Sequence, residues 1–558
     1  MRTERLFSFG GHQVRRSLTI MHSQSKCRTC CQAIPTIESD STLSNFPFPL
    51  SHSDSFQTQT PVIQPYTLSY QNQDDSESDK PKEECGIFGI FAPTEEVARV
   101  TFFGLFALQH RGQESAGIAV SDGRSIKCHK DLGLVTHVFN EDAINSLKGI
   151  SAIGHTRYST TGSNVRCNAQ PLLNSSRMGD IALGHNGNLV NTTALRNELL
   201  ALGCEFETTN DSEVILKMLI HYHTGCIEDA VKKTMQRLEG AYSLVILTPD
   251  KLIGVRDPYG IRPLCIGRIN GSKYVLASES CALVPVGAEY LREVEPGEVI
   301  VIDAEGMSEF QAVPMVRHAT CLLEFIYFSR PDTLLYNRSM HQARRKMGQA
   351  LAREHPVPGA HVVVPIPDTG IPAALGFAEA SRIPYAEGVI KNRYIQRTFI
   401  QPNQRMRDIG AKMKYSPLKD TLAGNKVVMV DDSIVRGTTT GKLVKMMFDA
   451  GAVEVHVRIS APPVKHPCYY GIDMADEDQL IAAKLSVEQI RRHIGATSLG
   501  YLSLENVVKA IGMNKNKFCR ACFDGKYPIE IPLELRMSKL IEGKQEADSG
   551  VELVGSRT

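Results

Sequence analysis

No single sign of charge dominates this 558-residue chain, in which 62 Lys and Arg stand against 61 Asp and Glu. That balance argues against a body built to neutralise nucleic acid or an anionic membrane, so any anion must be met by local loops. Also missing is an apolar run near the roughly 18–20 residues of a membrane span, which points to a chain that works in water. No internal repeat is visible. The 14 Cys lack the regular spacing of a disulfide framework, and a chain of this size with ordinary apolar content does not need one. A reducing compartment with a few special thiols fits better. At about 100–200 residues per domain, the length implies two or three domains.

What is present falls into distinct regimes. Residues 1–72 are rich in Ser, Thr, Gln and Pro, and carry Arg2, Arg5, Arg15, Arg16, Lys26 and Arg28 against only Glu4, Glu38, Asp40 and Asp54. A basic, hydroxyl-rich leader reads as an organellar transit segment, with a plain disordered extension as the alternative. An acidic, turn-rich stretch from Asp74 to Glu84 then runs up to Cys85, so residues 1–84 are expected to be a transit and pro-segment. From 85 to 315, short β-type runs at 86–91, 181–184, 243–247 and 299–302 are broken by glycines, with helical stretches near 98–109 and 211–223. Packed sheets with helices outside are expected there. From 316 to 532 the pattern changes to apolar strand, polar loop and helix, with strands at 362–366, 426–430 and 453–459 and helices near 371–381 and 440–450. That is the signature of a parallel sheet, whose ligands sit at the carboxyl ends of its strands. Residues 533–558 read as a polar tail.

The most specific string is Val427-Val428-Met429-Val430-Asp431-Asp432-Ser433-Ile434-Val435-Arg436-Gly437-Thr438-Thr439-Thr440. An apolar strand ends in two carboxylates, and a Gly/Thr turn then opens a helix. An isolated Asp-Asp pair reads most simply as an acidic helix cap. In this context the turn offers N–H groups and hydroxyls to a phosphate. The two acids can face a ribose diol and hold Mg²⁺, directly or through water. The string resembles the phosphoribosyl pyrophosphate (PRPP) motif of type I phosphoribosyltransferases. The resemblance makes Asp431, Asp432, Ser433, Arg436, Gly437, Thr438 and Thr439 the PRPP-binding residues, with Asp431 and Asp432 at Mg²⁺. It extends to Pro365-Ile366-Pro367-Asp368-Thr369-Gly370 and to Lys391-Asn392-Arg393-Tyr394 with Arg397-Thr398-Phe399. In the family this last segment is a loop closing over PRPP, which gives Lys391 and Tyr394 substrate contacts. Gln396 stands where the family has Gly, which implies a stiffer loop. A closing lid suits an activated ribosyl centre that must be kept from water.

Read alone, Cys85 is a thiol at a strand start, and a buried core thiol is the commoner case. The segments 108–117 (LQHRGQESAG), 154–160 (GHTRYST), 184–189 (GHNGNL) and 210–213 (NDSE) change that reading. They resemble the N-terminal-nucleophile glutaminase domain. With the phosphoribosyl half, their order and spacing resemble the amidophosphoribosyltransferase family from about Cys85 to Pro532. The fold implied is a two-domain α/β chain, an αββα glutaminase sandwich followed by a type I phosphoribosyltransferase parallel sheet. The resemblance implies that Cys85 attacks glutamine with its own α-amino group as base, which requires cleavage between Glu84 and Cys85. The Asn186 side chain and the Gly187 N–H would stabilise the oxyanion. Arg157 would hold the substrate carboxylate and Asp211 its ammonium group.

Cys519-Arg520-Ala521-Cys522 is a C-x-x-C that could be zinc, redox or nothing. Cys321 and Cys468 sit in matching family contexts, and family members with these four cysteines carry a [4Fe–4S] cluster. Four thiolates suit a cluster or tetrahedral zinc, and the family match favours the iron–sulfur type, with a structural role. Cys27, Cys30, Cys31, Cys128, Cys167, Cys204, Cys226, Cys265 and Cys281 are expected to be ordinary buried or tail thiols.

The activity implied is a pentosyltransferase with glutaminase activity, in which glutamine, PRPP and water give 5-phosphoribosylamine, glutamate and diphosphate. Asparagine synthetases or hexosamine-forming enzymes would need an S-G-G-x-D-S loop or a sugar-isomerase module, and the sequence has neither. A PRPP-binding regulator without catalysis is opposed by the intact Cys85, Arg157, Asn186 and Asp211. The family further implies purine nucleotide inhibitors and a homotetramer. The leader suggests an organelle, with the plastid stroma preferred to the mitochondrion and the cytoplasm as the alternative.

Overall fold

The computed structural model describes residues 85–158, 165–176, 179–392, 414–472, 474 and 477–536. Its first half is built on two antiparallel sheets. One has seven strands: β1 (Gly86–Phe91), β2 (Ser115–Ser121), β3 (Ile126–Leu132), β4 (Ser151–Arg157), β9 (Cys265–Ile269), β10 (Lys273–Ala277) and β11 (Glu289–Glu293). Their spatial order is β11-β9-β10-β1-β4-β2-β3. The other has six: β5 (Leu172–Ser176), β6 (Gly179–Leu189), β7 (Gly240–Leu247), β8 (Leu252–Arg256), β12 (Glu298–Asp303) and β13 (Gly306–Gln311), in the order β13-β12-β8-β7-β6-β5.

β1 and β7 are buried at every position, because each sheet is covered on both faces. Ile87, Ile153, Val245, Leu252, Ile266 and Leu276 fill the space between the sheets. On the outer face of the first sheet, Phe88 and Ile90 pack with Val97, Leu105 and Leu108 of the Val97–Ala107 helix region. On the outer face of the second, Leu183, Leu244 and Val255 meet the helices Thr192–Ala201, Asp211–Tyr222 and Ile227–Met235. The layer order is helix, sheet, sheet, helix, as expected.

The helix Asp211–Tyr222 shows why the local sequence folds this way. Asn210 caps it by accepting from the Glu213 N–H, and Asp211 and Glu213 lie in its first turn, where the helix dipole favours negative charge. Val214, Ile215, Met218 and Leu219 then form a buried apolar stripe.

The second half carries a four-stranded parallel sheet, in the order Val362–Pro365, Lys426–Asp431, Glu454–Ile459 and Ser498–Tyr501. Its near-continuous valine runs are buried on both faces, as parallel strands demand. The crossover helices include Ile371–Ser381 and Thr438–Asp449. Val190, Ala241 and Ile261 of the first half join this apolar core, so the halves share packed surface. Sequence reading placed only two helices in the first half and missed Thr192–Ala201 and Ile227–Met235. The former buries only Leu195 and Leu199, too thin a stripe to read from periodicity.

Candidate active site

Cys85 lies immediately before β1, and its backbone and side chain are held from two directions. The Cys85 Sγ donates to the Tyr158 carbonyl at 3.5 Å. The Arg111 Nε donates to the Cys85 carbonyl at 3.1 Å. Burial pushes the thiol up to about 11, although the Tyr158 contact and the nearby Arg157 charge act the other way. Asp211 also lies within electrostatic reach. The structure therefore gathers Cys85, Arg157 and Asp211, although they are far apart in sequence. Arg157 ends β4, opposite Ser115 of β2.

Asn186 and Gly187 lie on β6, in the facing sheet. Asn186 is fully buried, and neither its Oδ1 nor its Nδ2 meets a hydrogen-bond partner among the described residues. A buried amide without partners costs free energy unless a ligand completes it. The Asp211 Oδ2 accepts from the Leu189 N–H at 3.0 Å, which ties the proposed ammonium acceptor to the same strand. His185 and His155 are buried beside it, and burial lowers both, His155 to about 3. Both are neutral at physiological pH and serve the network: His155 Nε2 pairs with the His185 carbonyl at 2.9 Å, and His185 Nδ1 with Ser212 at 3.0 Å.

Behind Cys85 lies an ionic network that sequence reading did not single out. Arg111 donates to Glu279 Oε1 at 2.5 Å and to both Glu324 oxygens at 2.8 and 3.1 Å. Glu324 belongs to the second half, accepts from Ser329 at 2.7 Å and lies 3.9 Å from Arg262. Glu279 also accepts from His110, Thr333 and the Arg330 N–H. Burial alone would raise its carboxyl, but His110 and Arg111 outweigh that and hold it well below the usual carboxylate range. Arg111 stands in the quoted LQHRG segment, yet nothing local reveals its burial or its partners.

In the second half, Asp431, Asp432 and Ser433 are buried at the carboxyl end of the strand Lys426–Asp431. Asp431 Oδ1 accepts from the Asp432 N–H at 2.9 Å, and Asp432 accepts from Ser433 at 2.7 Å and from the Thr369 hydroxyl. Gly437, at φ +82°, caps the helix Thr438–Asp449, which places Thr438 and Thr439 in its first turn. Lys391 reaches Asp368 at 2.8 Å, bringing the start of the expected lid to the 365–370 loop. Arg436 lies in the same turn, directly before Gly437. Tyr394 and Gln396 lie outside the described residues.

The four cysteines are neighbours in the second half. Cys321 and Cys519 are register neighbours in a short parallel pairing. Cys522 follows on the turn Ala521–Asp524, and its carbonyl accepts from the Lys465 and His466 N–H groups. Cys468 Sγ accepts from the Tyr470 N–H at 3.3 Å. Burial raises the Cys522 thiol, and the neighbouring Cys321, Cys519 and Cys468 raise it further. Three of the four are buried and Cys468 is half-buried. Such an all-thiol set suits a soft metal centre. Among the described residues, no three His, Cys, Asp or Glu side chains converge as the ligands of one ion would. Of the other cysteines, Cys265 and Cys281 are buried as expected, whereas Cys167 and Cys226 are exposed. The expectation of burial fails for these two because Cys167 lies in the short 3-10 helix Arg166–Asn168 and Cys226 at the N-cap of Ile227–Met235, both on the surface.

A cysteine at the start of the central strand of paired antiparallel sheets, joined to a parallel sheet with an acidic strand end, defines the fold of an N-terminal-nucleophile glutamine amidotransferase coupled to a phosphoribosyltransferase. Residues 155–285 match the glutamine amidotransferase domain family. The chain is 54% identical over 470 residues to the amidophosphoribosyltransferase of Synechocystis sp., covering 83% of this chain and 94% of that one. It is 48% identical over 454 residues to that of Bacillus subtilis, covering 80% and 95%. The solved B. subtilis glutamine PRPP amidotransferase complexed with ADP and GMP superposes with a TM-score of 0.77 at 47% identity, over 81% of this chain and 100% of that one. The chain belongs to the amidophosphoribosyltransferase family.

Proposed function

We propose that the two halves act in turn on one nitrogen atom, with Cys85 releasing it and the 431–439 turn placing it. The reaction converts glutamine, PRPP and water to 5-phosphoribosylamine, glutamate and diphosphate, the first step of purine synthesis. The observation that carries the glutaminase assignment is Asn186, whose buried, unpaired amide stands ready for an oxyanion.

A thiol raised to about 11 does not ionise by itself near neutral pH. It needs a base at the moment of attack, and the α-amino group of Cys85, with a reference pKa of roughly 7.7–8.0, can serve once the chain is cut after Glu84. Arg157 would pair with the substrate carboxylate and Asp211 with its ammonium group. Asn186 and the Gly187 N–H would take the developing charge. In the second half, Asp431 and Asp432 would hold the ribose hydroxyls and Mg²⁺, while Ser433, Arg436, Gly437, Thr438 and Thr439 bind the phosphate. Lys391 and Tyr394 would close over the pyrophosphate.

Cys321, Cys468, Cys519 and Cys522 would hold a [4Fe–4S] cluster, which supplies a structural tie between 321 and the C-terminal segment. We further propose purine nucleotide inhibition, in line with the ADP and GMP on the B. subtilis relative, a homotetramer, and a plastid location carried by the leader. The test is PRPP-dependent glutamate release with and without Cys85→Ser. The variant should lose glutamine use and keep ammonia use, and the mature protein should begin at Cys85 by mass spectrometry. Glutamate release by Cys85→Ser, or a mature start elsewhere, would sink the assignment.

A further inference from the structure

We propose that the turn at 467–471 of the second half is a clamp on the oxyanion strand, with Asn188 and Gly471 as positioning residues for glutamine hydrolysis. The inference rests on Asn186 and Gly187 being the oxyanion donors. Asn188, next along β6, donates from Nδ2 to the Tyr469 carbonyl at 3.0 Å. Gly471, at φ +104°, lies against the Gly187 backbone. A Cβ on Gly471 would stand 2.9 Å from the Gly187 carbonyl carbon, 3.0 Å from its Cα and 3.1 Å from its oxygen. A Cβ on Gly187 itself would meet the Ala241 carbonyl oxygen at 2.0 Å. Gly187 thus lies close against both β7 of its own sheet and a turn from the other half. Neither contact ends in a flexible side chain that could yield.

The turn is braced in its own right. Tyr470 donates to the Ile529 carbonyl at 2.7 Å and accepts from the Ile529 N–H at 3.1 Å. Tyr527 donates to the Pro467 carbonyl at 2.7 Å, and its ring meets that of Tyr469 edge-on at 5.4 Å. The Lys465 and His466 N–H groups bond to the Cys522 carbonyl. The clamp is therefore anchored in the C-terminal segment and bears on Gly187, the residue whose N–H must point at a developing charge. An oxyanion donor works only when held at hydrogen-bond distance from that charge, so a small shift lowers kcat while glutamine still binds.

The experiment compares Gly471→Ala and Asn188→Asp with the mature wild-type protein. Asn188→Asp keeps the side-chain volume but sets an acceptor against the Tyr469 carbonyl. Glutamine-dependent kcat should fall roughly 10- to 100-fold, short of the 10²–10³ seen when a whole donor is lost. The KM for glutamine should stay within about twofold, and ammonia-dependent synthesis should be unchanged. Normal kcat in both variants overturns the clamp. So does a parallel loss with both nitrogen sources, accompanied by a lower melting midpoint, which marks a merely structural contact. Should Gly471→Ala fail to fold, Asn188→Asp decides. Asn186→Ala is run beside them: if it retains glutamine hydrolysis, the oxyanion assignment itself fails. If it is inactive while both clamp variants are normal, only the clamp fails.

Discussion

Replacing Glu324 with Gln removes one charge from a buried network in which Arg111 and Arg262 face Glu324 and Glu279. The side chains of Arg111, Glu279, Glu324 and Arg262 are at most 1% exposed, so water cannot make up the loss. The amide keeps the carboxylate's shape, but one of its two ends becomes a donor facing the Arg111 guanidinium. Removing one partner of a buried ion pair costs about 3–5 kcal/mol. Glu324 sits at the upper part of that range, because it accepts from Arg111 twice and from Ser329 once. At about 2–4 °C per kcal/mol for a unit the size of the first half, the melting midpoint should drop by roughly 10 °C. The assay is a thermal scan at fixed rate on mature protein, with glutamine- and ammonia-dependent rates measured at a temperature where the variant stays folded. Because Arg111 also holds the Cys85 carbonyl, the glutamine rate should fall more than the ammonia rate. A midpoint within about 2 °C of wild type would show that the network is not a matched set of charges and would refute the reasoning.

Asp432→Asn should weaken synthesis from glutamine and from ammonia alike, because the second half serves both. Loss of a charged hydrogen-bond partner of about 1.5–3 kcal/mol predicts roughly 10- to 150-fold, and a defect confined to the glutamine route would contradict the PRPP assignment. Cys519→Ser should lower the iron and sulfide content of purified protein and its melting midpoint together, whereas an unchanged iron content would remove the cluster proposal. Glu293 offers a pH test: burial pushes it up to about 7 from 4.5, outweighing Arg256 and Tyr290. The folded state then binds more protons than the unfolded state between those values, so this residue's stabilising contribution is full below 4.5 and is lost as pH rises through 7. Glu293→Gln should therefore stabilise by roughly 3 kcal/mol at pH 8, at 1.36 kcal/mol per pKa unit, with the gain shrinking towards pH 5. Equal shifts in melting midpoint at both pH values would refute that sign.

Much of the site was legible because its chemistry is written in short local strings. The 427–440 segment announces strand, acids, turn and helix in one pass, and the structure builds them in that order. The two sheets of the first half were legible as β-rich runs, but their pairing was not. β1 lies between β4 and β10, a partner nearly two hundred residues away, and no local pattern specifies that. The buried charges were illegible for a related reason. Arg111, Glu279 and Glu324 carry no local mark of burial until their partners meet, because charged residues are rarely buried unless paired. Cys167 and Cys226 failed in the opposite direction, since apolar character alone does not bury a thiol.

The placement of Arg111 ties these observations into one argument about coupling. Its planar guanidinium bonds to the carbonyl of Cys85, to Glu279 of the first half and to Glu324 of the second. Glu324 stands three residues beyond Cys321 and its side chain accepts from Ser329, whose carbonyl accepts from Arg344 at 2.6 Å. Burial lowers Arg344 to about 10, and the charge of Asp432 counts first among those that oppose the fall. A buried cation therefore sits within electrostatic reach of Asp432 and shares bonded neighbours with the group that holds Cys85. A change of charge at Asp432 would alter the field at Arg344, and the groups that link Arg344 to Arg111 are buried and bonded, so little of that change is screened. Burial keeps the Cys85 thiol protonated, so in the proposed hydrolysis its reaction would depend on position more than on a standing thiolate.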